Sequence, residues 1–159
     1  MRTGRDGGLM VLSSGTAKIV VDDGACVGCK ICELICSLHH EGAFHPFLSR
    51  IQVVRDPFAG HNVPTVCAQC QHPACVDACP EDAIGVNPLT GVVVIREEAC
   101  TGCGCCADAC PFNTEKHVLR YHPQKKVYLK CDLCDGDPQC VAWCPSGALT
   151  LRPAGKEGA

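Results

Sequence analysis

The spacing of the cysteines constrains this chain more than any other feature. Seventeen of its 159 residues are cysteines, and sixteen of them fall into four groups of four. The group that begins at Cys100 reads CxxCxxCxxxCP, so three thiols lie within seven residues and a fourth follows before a proline. Three thiolates this close together can surround one corner of a metal cluster, while the intervening backbone amides point at the sulfurs. The spacing therefore predicts cluster ligands.

The other three groups have related spacings. Residues 26–36 repeat the pattern without the proline, whereas residues 67–79 and 131–144 have four and five residues before the third cysteine and are each followed by proline. In the bacterial ferredoxin pattern, the fourth cysteine ligates the neighbouring cluster. Each group therefore needs a partner group, and the four groups together predict four 4Fe-4S clusters. The sixteen candidate ligands are Cys26, Cys29, Cys32, Cys36, Cys67, Cys70, Cys75, Cys79, Cys100, Cys103, Cys106, Cys110, Cys131, Cys134, Cys140 and Cys144.

Cys105 is the cysteine left over by this assignment. It lies between Cys103 and Cys106, at a position that Ile31 occupies in the first group. We interpret Cys105 as a non-ligand whose side chain points away from the cluster. His39 and His40 are interpreted as ordinary polar side chains, because each cluster already has four thiolates available.

Zinc and disulfides are the alternative uses of so many cysteines. Structural zinc sites take two separated CxxC pairs, whereas two groups here place three thiols within seven residues. A disulfide scaffold requires an oxidising compartment, and the first 18 residues contain no continuous apolar segment typical of an export signal. A thioredoxin-like redox pair needs only two cysteines. The spacing favours iron-sulfur clusters, and the default compartment is the cytoplasm.

Composition narrows the class of protein further. Aromatic residues make up only 4% of the chain, a poor supply for a hydrophobic core, so the clusters are expected to provide folding energy and the iron-free chain to be largely unfolded. The formal charge of −3 counts cysteines as neutral, and clusters held by four thiolates add negative charge, which argues against nucleic acid as a partner. No apolar run approaches the roughly 20 residues needed to cross a bilayer, so direct membrane insertion is not expected.

Short strands and loops are predicted between the cysteine groups. Residues 18–21 and 50–54 have the β-prone composition of strands, and residues 56–64 are predicted to be a loop rich in Pro and Gly. Residues 83–95 predict two short strands around a turn, and residues 118–130 predict a second hairpin. The chain is therefore expected to have an α+β fold of short strands, short helices and much loop.

These motifs resemble the four-cluster electron-transfer subunits of the dimethyl sulfoxide reductase and formate dehydrogenase type. The resemblance covers residues 17–151 and implies two pseudo-symmetric ferredoxin-like modules: an inner module of about residues 64–111, and an outer module of about residues 17–56 plus 117–151. Residues 1–16 and 152–159 would be flexible extensions.

The same resemblance implies that the clusters are ligated crosswise between groups. In each ligand set the fourth cysteine comes from a partner group. The implied sets are Cys26, Cys29, Cys32 with Cys144; Cys131, Cys134, Cys140 with Cys36; Cys67, Cys70, Cys75 with Cys110; and Cys100, Cys103, Cys106 with Cys79.

Residues 36–53 carry a narrower resemblance, to the small iron-sulfur subunits that accompany tungsten-dependent aldehyde oxidoreductases. Similar small subunits serve tungsten-type benzoyl-CoA reductases and carbon monoxide dehydrogenase with hydrogenase. The sequence shows no GxGxxG, P-loop or nucleophile-base signature, so we expect a non-catalytic subunit. It would carry electrons between a large tungsten or molybdenum catalytic subunit and a flavoprotein or ferredoxin.

Four alternatives remain open from the sequence alone. The chain could be a freely diffusing ferredoxin, a partner of hydrogenase or carbon monoxide dehydrogenase, or a zinc-bound scaffold. It could also associate head to tail into a filament, with residues 1–14 joining neighbours, because non-closing heterologous contacts generate filaments.

Overall fold

Short elements joined by long loops build the fold. The computed structural model describes residues 17–152, so the predicted extension at residues 1–16 and residues 153–159 lie outside the described residues. Three 3₁₀ turns, at Asp23–Ala25, Pro46–Leu48 and Leu133–Gly136, accompany the main elements. The main elements are β1 (Lys18–Val21), α1 (Ile31–Glu41), β2 (Ile51–Asp56), β3 (His61–Val66), α2 (Ala74–Asp77), β4 (Ile84–Val86), β5 (Val93–Ile95), α3 (Cys105–Ala109), β6 (Arg120–His122), β7 (Val127–Leu129), α4 (Gln139–Ala142) and β8 (Leu149–Arg152). The α+β class predicted from the sequence is confirmed.

The strands of residues 17–152 form four separate antiparallel pairs: β1 with β8, β2 with β3, β4 with β5, and β6 with β7. The β1–β8 pair joins the two ends of the described chain, from Lys18 opposite Arg152 to Val21 opposite Leu149. Helix α1 packs against α4, and α2 packs against α3. The first and last cysteine groups are thereby brought together, and so are the two middle groups.

The segment predicted to be a loop at residues 56–64 is partly a strand. β3 pairs along its whole length with β2 and places Pro64 opposite Val53. The N–H of Val53 donates to Glu33 and does not cross to β3, so Val53 and Pro64 form a pair without hydrogen bonds between them. A proline fits at this position because the sheet requires no N–H from it. Only the turn between Asp56 and His61 is irregular.

Helix α1 is fixed to β2 by a buried carboxylate. Glu33 is fully buried on α1, and its Oε1 accepts hydrogen bonds from the N–H of Val53 at 2.6 Å and from Gln52 at 3.1 Å. The ammonium of Lys30 lies 3.2 Å from the same oxygen. The helix ends at Glu41, and the following Gly42 adopts a left-handed conformation with φ of 68° and donates its N–H to the carbonyl of Leu38. This anchoring fixes the helix that carries Cys32 and Cys36.

Cysteines are a large part of the core. Two clusters of buried side chains are present in residues 17–152, one around Ile51, Leu133 and Leu149 and one around Ile84, Val93 and Leu119. Both contain cysteines together with aliphatic side chains. The buried cysteines are Cys32, Cys36, Cys67, Cys75, Cys106, Cys131 and Cys140.

Candidate iron-sulfur cluster sites

Three small cavities in the described chain are each lined by four cysteines. Each set takes three cysteines from one group and the fourth from another group, as in the crosswise pairing. We name the sets site I (Cys26, Cys29, Cys32, Cys144), site III (Cys67, Cys70, Cys75, Cys110) and site IV (Cys100, Cys103, Cys106, Cys79).

The remaining four cysteines also lie together, and we name them site II (Cys131, Cys134, Cys140, Cys36). Burial raises the pKa of Cys131 to about 12, and the neighbouring Cys36 adds to the increase. Burial likewise raises the pKa of Cys134 to about 11 and that of Cys140, again with a contribution from Cys36. The structure therefore places twelve of the predicted cysteines around three cavities, and Cys36, Cys131 and Cys140 of site II pack in one core cluster.

The four CxxC loops share one backbone feature. In each loop, the residue before the second cysteine has a positive φ: 66° at Gly28, 50° at Gln69, 70° at Gly102 and 59° at Leu133. A left-handed residue at this position makes the chain turn sharply and exposes successive N–H groups on its concave side. The loops are therefore curved in the way that a cluster ligand loop requires.

Backbone N–H groups already point at several of the sulfurs. The N–H of Arg50 lies 3.3 Å from Sγ of Cys36, that of Ala83 lies 3.3 Å from Sγ of Cys79, and that of Gln69 lies 3.5 Å from Sγ of Cys67. Such donors stabilise negative charge on a thiolate. Four sulfurs around one cavity, with amide donors behind them, are a donor set that fits a 4Fe-4S cluster.

The four sites follow one another in a row. Burial raises the pKa of Cys140 in site II, and the charge of Cys32 in site I contributes. Burial and the charge of Cys67 in site III raise the pKa of Cys131 in site II. Burial raises the pKa of Cys106 in site IV to about 12, with a contribution from Cys75 in site III. Helix α1 packs against α4 at sites I and II, Gln69 of the site III loop donates to the carbonyl of Cys131 in site II, and α2 packs against α3 at sites III and IV. These contacts support the order I, II, III, IV.

Each end of this row reaches the surface. Cys29 of site I and Cys103 of site IV are exposed. Site I is flanked by the exposed apolar side chains of Val27 and Trp143, which are 66% and 59% accessible. Five of the seven buried cysteines belong to the two middle sites: Cys36, Cys131 and Cys140 in site II, and Cys67 and Cys75 in site III.

Site II has charged and polar neighbours that the sequence patterns did not reveal. The guanidinium of Arg50 lies 2.7 Å from Asp132 and 3.3 Å from Glu97. Nε2 of His40 lies 3.7 Å from Sγ of Cys134 and 3.4 Å from Asp132. Burial and then the charge of Arg50 lower the pKa of His40 to about 4, so the imidazole is neutral at pH 7.

The histidines predicted to be ordinary polar side chains therefore lie beside a cysteine site. The donor atoms of His39, His40 and Cys134 all lie within 4.8 Å of one another, a grouping that could hold a metal ion. Cys134 also belongs to site II, so this grouping overlaps that site.

Cys105 lies outside the four cysteine sets. Its side chain is exposed and does not line the cavity of site IV, although it is adjacent to Cys106. The N–H and the thiol of Cys105 both lower the pKa of Cys103. Cys105 is therefore a neighbour of site IV and not one of the four cysteines that line its cavity.

All seventeen cysteines fall within residues 17–152, and no disulfide joins any two of them in that part of the chain. No helix in those residues combines the length and the apolar character that a membrane span requires. Clustered cysteines at cavities backed by amide donors are typical of the class of proteins that hold iron-sulfur clusters for electron transfer.

The chain belongs to the family described as 4Fe-4S dicluster domain, which matches residues 59–154. It is similar to an aliphatic sulfonate oxidoreductase, polyferredoxin-like subunit, of Pyrococcus furiosus. The two are 45% identical over 126 residues, which are 79% of this chain and 70% of the relative. The electron transport protein HydN of Escherichia coli K12 is 34% identical over 82% of this chain and 85% of its own length.

A solved structure also contains a chain that is similar to this one in fold. The active site complex BamBC of benzoyl coenzyme A reductase, in complex with zinc, contains a chain that is 28% identical to this one with a TM-score of 0.54. The match covers 92% of this chain and 84% of that chain. This protein is therefore a 4Fe-4S electron-transfer protein related to polyferredoxin-like subunits of oxidoreductases, a relationship consistent with a non-catalytic role.

Proposed function

We propose that this chain conducts electrons through four 4Fe-4S clusters, one in each of sites I to IV. The observation that carries the proposal is the continuous row of four cysteine sets with an exposed cysteine at each end. The matched family residues, 59–154, include three of the four cysteine groups, and the first group precedes them. Site I combines three cysteines of that first group with Cys144 of the last group. The cluster proposed for site I therefore needs ligands from the first and the last cysteine groups.

The chain contributes ligands, charge compensation and exclusion of water. A 4Fe-4S cluster, when bound, gains and loses a single electron. The four thiols of each set would hold one cluster, and no open coordination position would remain for a substrate. Backbone N–H groups such as those of Arg50 and Ala83 would stabilise the added charge. Conduction rather than catalysis is the activity that such a filled ligand set supports.

The proposed partner at one end is a large catalytic oxidoreductase subunit that contains tungsten, with aldehyde oxidation as the favoured reaction. The resemblance of residues 36–53 to tungsten-enzyme subunits supports the metal and the reaction. The similarity to a subunit of an aliphatic sulfonate oxidoreductase supports a catalytic oxidoreductase subunit as the partner. At the other end, a flavoprotein or ferredoxin would exchange electrons. The exposed cysteines Cys29 and Cys103 mark the two places for these exchanges.

Three further parts of the proposal concern the two modules, the cellular location and the self-association of the chain. The α1–α4 and α2–α3 helix pairs support an outer and an inner module with related architecture. Cytoplasmic location stays a prediction from the sequence. Head-to-tail association also stays a prediction, and the residues 1–14 on which it depends lie outside the described residues.

Metal analysis of the protein together with its co-purifying partners tests the central proposal. Protein prepared without oxygen should contain about sixteen irons per chain, four for each cluster, with tungsten in the partner. Iron without tungsten or molybdenum would redirect the partner assignment to hydrogenase, carbon monoxide dehydrogenase or a free ferredoxin. Zinc without iron would refute electron transfer.

The ligand assignment is tested by two cysteine variants. Cys105→Ser should retain the full iron content, because Cys105 does not line site IV. Cys110→Ala should lose or convert one cluster, because Cys110 is the fourth cysteine of site III. Iron analysis and electron paramagnetic resonance of the reduced proteins would measure both. Loss of iron from the serine variant would overturn the assignment.

A further inference from the structure

Lys130 is a charged side chain in the interior of the molecule. It follows β7, is 4% accessible, and donates hydrogen bonds from Nζ to the backbone carbonyls of Val93 and, at 3.3 Å, Cys131. Among residues 17–152, no carboxylate oxygen lies within 4 Å of this ammonium. Burying a cation without a carboxylate is costly unless other negative charge is near.

The ammonium lies between two of the cysteine sites. Its side chain lines the cavity of site III, and it is hydrogen-bonded to the carbonyl of Cys131 in site II. The carbonyl of Val93, which accepts its other hydrogen bond, belongs to a residue that also lines the site III cavity. One cation therefore lies beside both middle sites.

A lysine is not needed here merely to hold the backbone together. The buried side chain of Gln69 already bridges the same two segments, because it accepts from the N–H of Val93 at 2.9 Å and donates to the carbonyl of Cys131 at 2.8 Å. A neutral amide thus makes the structural link. What Lys130 adds to that link is its positive charge.

We propose that the Lys130 ammonium is the internal counter-charge of sites II and III and raises the reduction potentials of the clusters in both. This proposal rests on the proposed electron-transfer function. Each cluster accepts one electron from a partner's redox group and passes one on, and the reduced form carries one more negative charge. A nearby cation stabilises the reduced form more than the oxidised form, so it sets how readily the middle of the row holds an electron.

Redox titration of cluster-loaded variants, followed by electron paramagnetic resonance, tests the proposal. Lys130→Gln removes the charge but keeps an amide donor, and Lys130→Met removes both. Lys126→Gln makes the same charge change at an exposed position in the turn of the β6–β7 hairpin and serves as the matched control.

Both Lys130 variants should keep their iron while two of the four cluster potentials fall. The comparison is made at the solution potential at which the clusters of sites II and III are half reduced in the unsubstituted protein. There, the ratio of reduced to oxidised cluster should fall about tenfold in the variants, equivalent to about 59 mV for one electron. Lys126→Gln should leave all four potentials unchanged, because solvent screens an exposed charge.

Each other outcome would overturn the proposal. Unchanged potentials in both Lys130 variants would show that the charge does not act on the clusters, and the electron-transfer function would still stand. Loss of iron from both variants would make Lys130 a structural residue. A shift in Lys130→Met that Lys130→Gln does not show would assign the effect to the hydrogen bonds. A parent protein without reversible one-electron signals would instead refute the proposed function itself.

Discussion

At the scale of single residues, Glu33 shows how a buried charge holds a cysteine-bearing helix in place. Its carboxylate accepts from the N–H of Val53 and the amide of Gln52, and it pairs with Lys30. The N–H of Val53 points at this carboxylate and not at a carbonyl of β3, although Val53 is paired with Pro64 in the sheet. Removal of the carboxylate would therefore leave a buried donor unsatisfied.

We expect Glu33→Ala to lower the free energy of unfolding by about 3 kcal/mol, from the unsatisfied donor and the broken ion pair. Denaturant unfolding of the iron-loaded protein without oxygen, followed by cluster absorbance, would measure the change. Glu98→Ala, at an exposed position, is the control and should change stability by less than about 0.5 kcal/mol. Equal stability of the two variants would contradict the anchoring role of Glu33.

Sequence reasoning at this scale found the cysteines but not the side chains that support them. The cysteine groups are recognisable because ligand spacing is local. Glu33 and Lys130 act on partners 20 and 37 residues away, at Val53 and Val93, so no local pattern reveals them. The contact of His40 with Cys134 spans 94 residues and was missed for the same reason.

At the scale of elements, the left-handed residues Gly28 and Gly102 bring two of the CxxC loops close to neighbouring parts of the chain. Gly102 has a φ of 70°, and a Cβ added there would collide with the backbone carbonyl of Lys126 and come within 3.1 Å of Tyr121. Gly91, in the β4–β5 turn, has a φ of 69°, but a Cβ there would meet nothing within 4 Å. Comparison of alanine variants at Gly91 and Gly102 therefore distinguishes the effect of backbone strain from that of a steric clash.

Gly91→Ala should cost about 1–2 kcal/mol, the strain of a left-handed alanine, and should keep its iron. Gly102→Ala should be less stable than Gly91→Ala and should hold the site IV cluster less tightly, because the β6–β7 turn has to move. Thermal unfolding and iron content of the two variants would be compared. Equal melting temperatures and iron contents would show that the loop accommodates the added methyl group.

The strands were predicted where composition and turn residues agree. The first strand, β1, has the predicted bounds at Lys18–Val21, and the β4–β5 and β6–β7 hairpins lie within their predicted segments. β3 was missed because its proline was interpreted as a loop signal. Whether a proline interrupts a strand depends on where its missing N–H would point, and that is a property of the pairing rather than of the segment.

At the scale of the whole molecule, the cysteines occupy positions that aliphatic side chains fill in other small proteins. Cys36, Cys131 and Cys140 pack in one core cluster with Ile51 and Leu133. A core in which thiols surround cavities buries little apolar surface through the polypeptide alone. The clusters are therefore expected to supply much of the folding energy.

Removal of iron by a chelator should unfold the protein. Circular dichroism should lose the helix signal, and the amide resonances should collapse into the narrow range of an unfolded chain, because binding energy and folding energy are coupled. Reconstitution with iron and sulfide should restore both signals. Retention of dispersed resonances after complete iron removal would show that the polypeptide core is sufficient.

The crosswise ligand sets stay a prediction. They rest mainly on the resemblance, since spacing within one group cannot say which group supplies the fourth thiol. The closure of the molecule by β1 and β8 could not be predicted at all. Each of these strands is only four residues long, and pairing between opposite ends of the described chain has no local signal.

That closure makes the described chain nearly a ring. Lys18 and Arg152 are opposite each other in an antiparallel pair, so a short peptide could connect the two strands across one edge. The turn between Asp56 and His61, where Phe58 is 99% accessible, offers an exposed place at which to open the ring again. A circularly permuted chain with its new ends at this turn could then be tethered to an electrode from a position remote from its original ends.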